Sequence, residues 1–129
     1  MEVVVKKAIR VSDAPAPAGP YSQGIVTGPF VFVAGQIPKD PNSGEVPAGI
    51  EAQTHRVLRN VEAILRGAGC SMADVVKVTA HLADLADFDA FNQVYLQYFQ
   101  EPLPVRTTVG SQLNRVLVEV DVIAYREGA

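Results

Sequence analysis

The sequence has few of the features that mark disulfide-rich, membrane-spanning or nucleic-acid-binding proteins. It contains a single cysteine, Cys70, among 129 residues, so it cannot form an internal disulfide, which predicts an intracellular, cytoplasmic protein. No apolar run approaches the roughly 20 residues of a membrane-spanning helix. No cluster of lysine and arginine stands out and the formal net charge is -3, so broad binding to a nucleic-acid backbone is not expected.

What the chain does contain is enough apolar sequence to build one core. Apolar residues make up 48% of the chain and charged residues only 19%, which argues against disorder. A length of 129 residues lies in the commonest size range for one domain, so we expect residues 1–129 to form a single domain. The proline-rich segment 14–20 is too short for a domain linker and is interpreted as an ordered loop.

Hydrophobic periodicity predicts six strands and two helices. The expected strands are Val3–Arg10, Ser22–Thr27, Phe30–Ala34, Val75–Ala83, one beginning after Pro104, and Val116–Tyr125. The expected helices are Ala48–Arg66 and Phe88 to about Phe99, the second capped by Asp87. The order βββ-α-β-α-ββ predicts an α+β sandwich with about six strands and both helices packed on one face of the sheet.

The last strand has two faces that both carry apolar residues. One face is apolar throughout, from Val116 to Ala124, while the other mixes Glu119 and Asp121 with leucine, isoleucine and tyrosine. A solvent-facing strand surface is usually polar. We therefore expect this second face to be covered, either by a second copy of the chain, with Glu119 and Asp121 at or near the contact, or by a long loop.

Arg106 is the first candidate functional residue. It lies at the start of an expected strand, just after Pro104, where a helix cannot continue. A guanidinium held by rigid elements can bind a carboxylate through two parallel hydrogen bonds. The alternative is that Arg106 forms a structural ion pair.

The cysteine and the two histidines give weaker evidence of a functional role than Arg106 does. Cys70 lies in a turn-like link where nothing indicates a lowered pKa, so a nucleophilic role is not favoured. His55 and His81 have no partners at metal-ligand spacing and are interpreted as structural or solvent-facing, so no metal site is predicted.

Several segments, taken together and in order, resemble the Rid family, also called YjgF, the reactive intermediate deaminases. The matching stretches are Ala18–Gly24, Val33–Pro38, Gly44–Pro47, Gln53 with Asn60–Val61, Asp84–Phe88, Asn92–Phe99, Pro104–Val109 and Val118–Val120. The resemblance extends from about residue 6 to residue 126. It implies a chorismate-mutase-like α+β fold with a mixed sheet and a homotrimer with ligand sites between subunits.

The resemblance also implies an activity and a set of site residues. Enamines and imines derived from amino acids, such as 2-aminoacrylate and 2-iminobutanoate, would be hydrolysed to 2-keto acids and ammonia, with no cofactor or metal. Arg106 matches the arginine that binds the substrate carboxylate, and Glu119 the glutamate that orients or activates water. The remaining matches are Gly35, whose backbone faces the ligand, Tyr21, which lines the pocket, and Asn92, a polar residue near the site.

The chain departs from the family pattern at three places near this site. Thr108 stands where many relatives have cysteine, and Ala34 where some have serine. The link from Arg106 to Glu119 is shorter than in typical deaminase members and lacks their Leu-Pro turn. Thr108 can still donate and accept a hydrogen bond in the site, so we expect altered rather than lost activity.

Two other functions remain open at the level of sequence. Ribonuclease or translation-inhibitor activity is also attributed to members of this family, although the acidic charge weighs against it. A non-catalytic sensor or chaperone that binds small carboxylates between subunits would use the same residues.

Overall fold

The structure, a computed structural model, describes residues 5–127. Its strands are β1 (Lys6–Ile9), β2 (Gly24–Thr27), β3 (Phe30–Gln36), β4 (Val75–Leu82), β5 (Val105–Gly110) and β6 (Val118–Tyr125). Its α-helices are α1 (Ile50–Gly67) and α2 (Phe88–Tyr95), and a single turn of 3₁₀-helix precedes both β4 and α2. The predicted order of elements is confirmed.

The strands form one mixed sheet in the order β1-β2-β3-β6-β4-β5. Among the strands of residues 5–127, only β4 and β5 are parallel neighbours. A parallel pair requires a crossover connection, and the segment containing α2 provides it. Helix α1 contacts β3, β6 and α2, so both helices cover the same face. The predicted α+β sandwich is therefore confirmed.

The core lies between this face and the helices. Alternate residues of β6 are buried on the helix side, as the period of a strand requires. These residues are Val118, Val120, Val122 and Ala124. Helix α1 contributes a stripe at three- and four-residue steps, consisting of Val57, Leu58, Val61, Ile64 and Leu65, all fully buried. Burial of one such side chain stabilises the fold by roughly 1.5–3 kcal/mol.

Several predicted ends differ from the structure by one or two residues, as for α1, which is predicted at Ala48–Arg66 and spans Ile50–Gly67; the larger differences concern α2. Helix α2 ends at Tyr95 rather than near Phe99, because tighter turns replace the helical pattern beyond it. The Asp87 side chain makes no capping hydrogen bond; instead the Asp84 carboxylate accepts one from the Ala86 N–H at 2.9 Å. Asp84 caps because the chain enters α2 through a 3₁₀ turn. The predicted first strand includes residues 3 and 4, which lie outside the described residues.

The second face of the sheet carries a patch of exposed aromatic side chains. Phe30, Phe32 and Tyr125 are each 42% exposed, and the Phe30 and Tyr125 rings pack edge to face with centroids 5.6 Å apart. No loop among residues 5–127 covers these rings. A cover from a second copy of the chain therefore stays a prediction.

Candidate functional site

Arg106 lies on the helix side of the edge strand β5. It is registered against the fully buried Val78 of β4, and paired residues of neighbouring strands share a face. The Arg106 Nη2 group donates a hydrogen bond to Asn92 Oδ1 at 2.8 Å. Three aromatic rings of α2 surround the guanidinium carbon, with centroids at 5.6 Å for Phe88, 5.4 Å for Phe91 and 4.7 Å for Tyr95.

This environment holds the charge of Arg106 without neutralising it. Aromatic faces attract a cation, and a neutral asparagine orients it, but neither supplies a negative charge. Among residues 5–127 no carboxylate lies within 4.0 Å of Arg106; the Lys/Arg–carboxylate pairs found there are Arg56–Asp40 and Arg66–Glu62. The ion-pair alternative for Arg106 therefore has no partner in the described chain.

A cleft of about 330 Å³ opens beside the guanidinium. Its lining residues are Asn92, Tyr95, Leu96, Leu103, Pro104 and Arg106. The cleft thus combines one cation and one amide with apolar walls, a composition suited to a small organic anion.

Glu119 lies on the opposite face of the sheet. It is registered against His81 on the side of β6 that points away from the helices, between the buried Val118 and Val120. A second cleft, of about 470 Å³, opens here. Its lining residues are Ala18, Tyr21, Ala34, Gly35, Ile37, Asn114, Val116 and Glu119.

A β-bulge brings Gly35 against Glu119. The register between β3 and β6 advances three residues on β3, from Val33 to Gln36, while β6 advances two. A Cβ atom on Gly35 would lie 2.6 Å from Glu119 Oε2, closer than real contacts allow. Only glycine lets the carboxylate lie against this backbone.

The six sequence-predicted site residues therefore fall into two groups on opposite faces of the sheet. Arg106, Asn92 and Thr108 belong to the helix side, since Thr108 is registered against the buried Ala80. The other group consists of Glu119, Gly35 and Tyr21. Within one described chain Arg106 contacts Asn92, and Glu119 shares a cleft with Gly35 and Tyr21. Thr108 lies on the same face as Arg106 but does not line its cleft, and Arg106 does not approach Glu119.

Comparisons with known proteins agree in pointing to one family. The family profile described as Endoribonuclease L-PSP matches residues 11–126. A RutC family protein of Pyrococcus abyssi is 52% identical over 127 residues, covering 96% of this chain and 100% of the relative. A 2-iminobutanoate/2-iminopropanoate deaminase of Bos taurus is 40% identical, covering 98% of this chain and 94% of the relative.

A solved structure gives the same answer. The crystal structure of Escherichia coli TdcF with bound serine has a TM-score of 0.89 and 40% identity, covering 94% of this chain and 99% of that one. The chain belongs to the Rid family. The resemblance inferred from the sequence is thereby confirmed.

Tyr95 is a residue of this Rid chain whose place at the site the sequence did not reveal. Its hydroxyl is buried without a hydrogen-bond partner among the described residues. Burial raises the pKa of this hydroxyl, and the nearby Arg106 charge opposes that rise. The signal was present in the helical spacing of Phe88, Phe91 and Tyr95, but such a stripe more often packs in a core than around a cation.

The cysteine and histidines lie outside both clefts. Cys70 is 7% exposed, and burial raises the pKa of its thiol, with the Asp74 charge acting in the same direction and Arg126 opposing. His81 Nδ1 lies 2.7 Å from Ser111 Oγ, and His55 Nδ1 lies 2.8 Å from the Tyr98 hydroxyl.

Within residues 5–127 no three His, Cys, Asp or Glu side chains are grouped to hold a metal ion. The same residues contain no helix long and apolar enough to span a membrane.

Proposed function

We propose that this Rid protein hydrolyses enamines and imines derived from amino acids, such as 2-aminoacrylate and 2-iminobutanoate, to 2-keto acids and ammonia. The observation that supports this proposal is the environment of Arg106. Its guanidinium is permanently charged, is oriented by Asn92 and has no carboxylate partner in the described chain. Such a group suits the substrate carboxylate, and hydrogen bonds to charged groups contribute roughly 1.5–3 kcal/mol each.

Glu119 is proposed to act on water. It lies in a cleft beside the Gly35 backbone and has no cationic partner within 4.0 Å among residues 5–127. A carboxylate placed in this way can orient a water molecule or accept its proton. Proton transfer by a positioned group typically contributes about 10²- to 10⁴-fold to a rate.

The complete site is proposed to form between two chains of a homotrimer. Arg106 and Glu119 project from opposite faces of one sheet, so two copies must meet for both groups to contact one small molecule. The exposed rings of Phe30, Phe32 and Tyr125 support an interface on the Glu119 face, because exposed aromatic patches favour association. Thr108, Asn92 and Tyr21 are proposed to line the composite cleft.

The reaction needs little chemical machinery. The enamine tautomerises to the imine, water adds to the C=N carbon, and the resulting carbinolamine expels ammonia and leaves the 2-keto acid. Since the substrate hydrolyses unaided in water, holding it in one orientation beside a positioned water is the main contribution required. None of these steps calls for a cofactor.

Two of the relatives support this activity, although the family profile is described as an endoribonuclease. The bovine relative is named for 2-iminobutanoate and 2-iminopropanoate, and the TdcF structure contains bound serine, a small amino acid with a carboxylate. Binding of an RNA backbone depends on several phosphate contacts, whereas among residues 5–127 Arg106 is the one cation lining the two clefts. We therefore place RNA cleavage second. A cytoplasmic location, inferred from the single cysteine, stays a prediction.

The test generates 2-aminoacrylate from serine with a dehydratase and follows pyruvate release. Wild-type protein should accelerate release above the spontaneous rate, while Arg106→Ala should not. Arg59→Ala is the matched control, since Arg59 is exposed on α1 and lines neither cleft. Equal rates of pyruvate release with wild type and Arg106→Ala would contradict the proposal. Binding of keto acids without any acceleration would instead favour the non-catalytic sensor.

A further inference from the structure

A further cavity, separate from the Arg106 and Glu119 clefts, shares one lining residue, Tyr21, with the Glu119 cleft. This cavity has a volume of about 290 Å³ and lies beneath the proline-rich loop. Its lining residues are Ile9, Arg10, Val11, Ala16, Pro17, Tyr21, Ser22 and Gln23. Tyr21 therefore borders both the cleft where Glu119 lies and an additional space that neither Arg106 nor Glu119 lines.

Local contacts of the loop determine where the Tyr21 ring lies. The Tyr21 hydroxyl accepts a hydrogen bond from the Ala18 N–H at 3.2 Å, and the Tyr21 N–H donates to the Gly19 carbonyl at 2.8 Å. A Cβ on Gly19 would lie 3.2 Å from the ring carbon Cε2, so the absence of a side chain at Gly19 lets the ring fold back onto its own loop. The ring is 51% exposed, and no core packing fixes it.

The cavity beneath the proline-rich loop has a mainly apolar wall, and hydrogen bonds from Gln23 hold the loop that covers it. The Gln23 side chain is buried, and its amide nitrogen donates to the carbonyls of Val11, Ala14 and Pro15 while its oxygen accepts from the Val11 N–H. These bonds occupy the polar end of Gln23 and hold the loop over the cavity. The remaining lining is apolar at Ile9, Val11, Ala16 and Pro17, and polar at Arg10 and Ser22.

We propose that the Tyr21 ring is a partition that limits the size of the substrate side chain, and that the cavity behind it accepts the apolar side chain of a larger 2-imino acid when the ring is removed. This inference rests on the proposed imine hydrolysis, because it identifies the part of the same site that would hold the side chain of the substrate. Wild-type protein should prefer small imino acids, such as those derived from serine and threonine, over those derived from leucine or phenylalanine.

The test compares wild type, Tyr21→Ala and Tyr21→Phe by the ratio of kcat/KM for the phenylalanine-derived imine to kcat/KM for 2-iminobutanoate. An amino-acid oxidase generates both imines. Tyr21→Ala should raise this ratio about tenfold or more, since a change of one methylene in an apolar pocket is worth about 10- to 200-fold. Tyr21→Phe keeps the ring but loses the hydrogen bond from the Ala18 N–H, so its ratio should rise less than that of Tyr21→Ala.

A binding measurement separates this inference from the proposed reaction. Phenylpyruvate and 2-oxobutanoate, the corresponding products, are titrated into each protein by calorimetry. A gain in phenylpyruvate affinity confined to Tyr21→Ala, without turnover by any protein, would overturn the reaction but support the partition. Turnover with the same ratio in all three proteins would overturn the partition alone, and the absence of both turnover and keto-acid binding in every protein would overturn both.

Discussion

Arg106 and Glu119 project from opposite faces of one sheet, with β4 between their strands. Two strand spacings separate β5 from β6, about 10 Å. The sheet itself blocks a direct approach of the two side chains within one chain. If both groups act on one small molecule, each must come from a different copy.

This geometry predicts complementation between two inactive variants. Arg106→Ala and Glu119→Gln should each lose most of the deaminase activity on its own. Co-expressed in equal amounts, they should regain about a quarter of the wild-type activity, because about a quarter of the sites in randomly mixed trimers receive both intact residues. The measurement is pyruvate release by the purified mixed assembly.

The control for complementation is the double variant Arg106→Ala/Glu119→Gln co-expressed with Arg106→Ala. No site in that mixture can hold both intact residues, so it should stay inactive. Activity absent from both mixtures would contradict a site shared between chains.

The fold could be predicted from sequence because its elements carry strong local signals. The uninterrupted apolar alternation of Val118 to Ala124 and the stripe of α1 each fix one buried face. Boundaries were less predictable where short-range hydrogen bonds compete, as at Asp84 and Asp87. The end of α2 at Tyr95 likewise reflects tight turns that leave Phe99 buried without continuing the helix.

The candidate site was only partly predictable. Periodicity shows that neighbouring residues alternate between faces, but it does not give the order of strands in the sheet. The separation of Arg106 from Glu119 depends on β6 pairing with β3 and β4 rather than with β5. The approach of Gly35 to Glu119 depends on a bulge that the sequence pattern did not mark.

Gly35→Ala should reduce kcat by displacing the Glu119 carboxylate. The new Cβ would lie 2.6 Å from Oε2, and the flexible end of the glutamate side chain is the part able to move. The loss should be bounded by the contribution of a placed general base, about 10²- to 10⁴-fold. Steady-state kinetics give kcat, and thermal unfolding should show little change.

A double-mutant cycle checks the origin of that loss. In a Glu119→Ala background no carboxylate remains to be displaced, so Gly35→Ala should cost nothing further. An equal cost in both backgrounds would mean that Gly35→Ala disturbs the backbone rather than Glu119.

Asn92→Asp should raise KM by introducing a carboxylate beside Arg106. Asn92 Oδ1 already accepts from Arg106 at 2.8 Å, so an aspartate of the same shape would pair with the guanidinium and compete with the substrate. We expect KM to rise about tenfold or more, since charge-assisted hydrogen bonds contribute about 1.5–3 kcal/mol. Asn42→Asp, in an exposed turn, adds the same charge elsewhere and should leave KM unchanged.

Cys70 should be unreactive in the folded protein. The thiolate is the reactive form, and burial of Cys70 raises the pKa of its thiol, so little thiolate forms at pH 7. Ellman's reagent should react far more slowly with native protein than in urea, with reactivity rising as pH increases. Rapid native modification accompanied by loss of deaminase activity would instead support a nucleophilic Cys70.

Gln23→Met should destabilise the fold and weaken substrate binding together. The substitution keeps an apolar stem of similar length but removes four hydrogen bonds to the loop that carries Tyr21. Leaving a buried backbone group without a partner costs about 1–3 kcal/mol, and water entering beside the loop offsets part of that cost. Urea denaturation should show that the free energy of unfolding falls by about 1–3 kcal/mol, and KM should rise as Tyr21 loses its support.

The control is Gln93→Met, at an exposed position of α2, which should leave stability and KM near their wild-type values. Unchanged stability in Gln23→Met would contradict the role assigned to its hydrogen bonds.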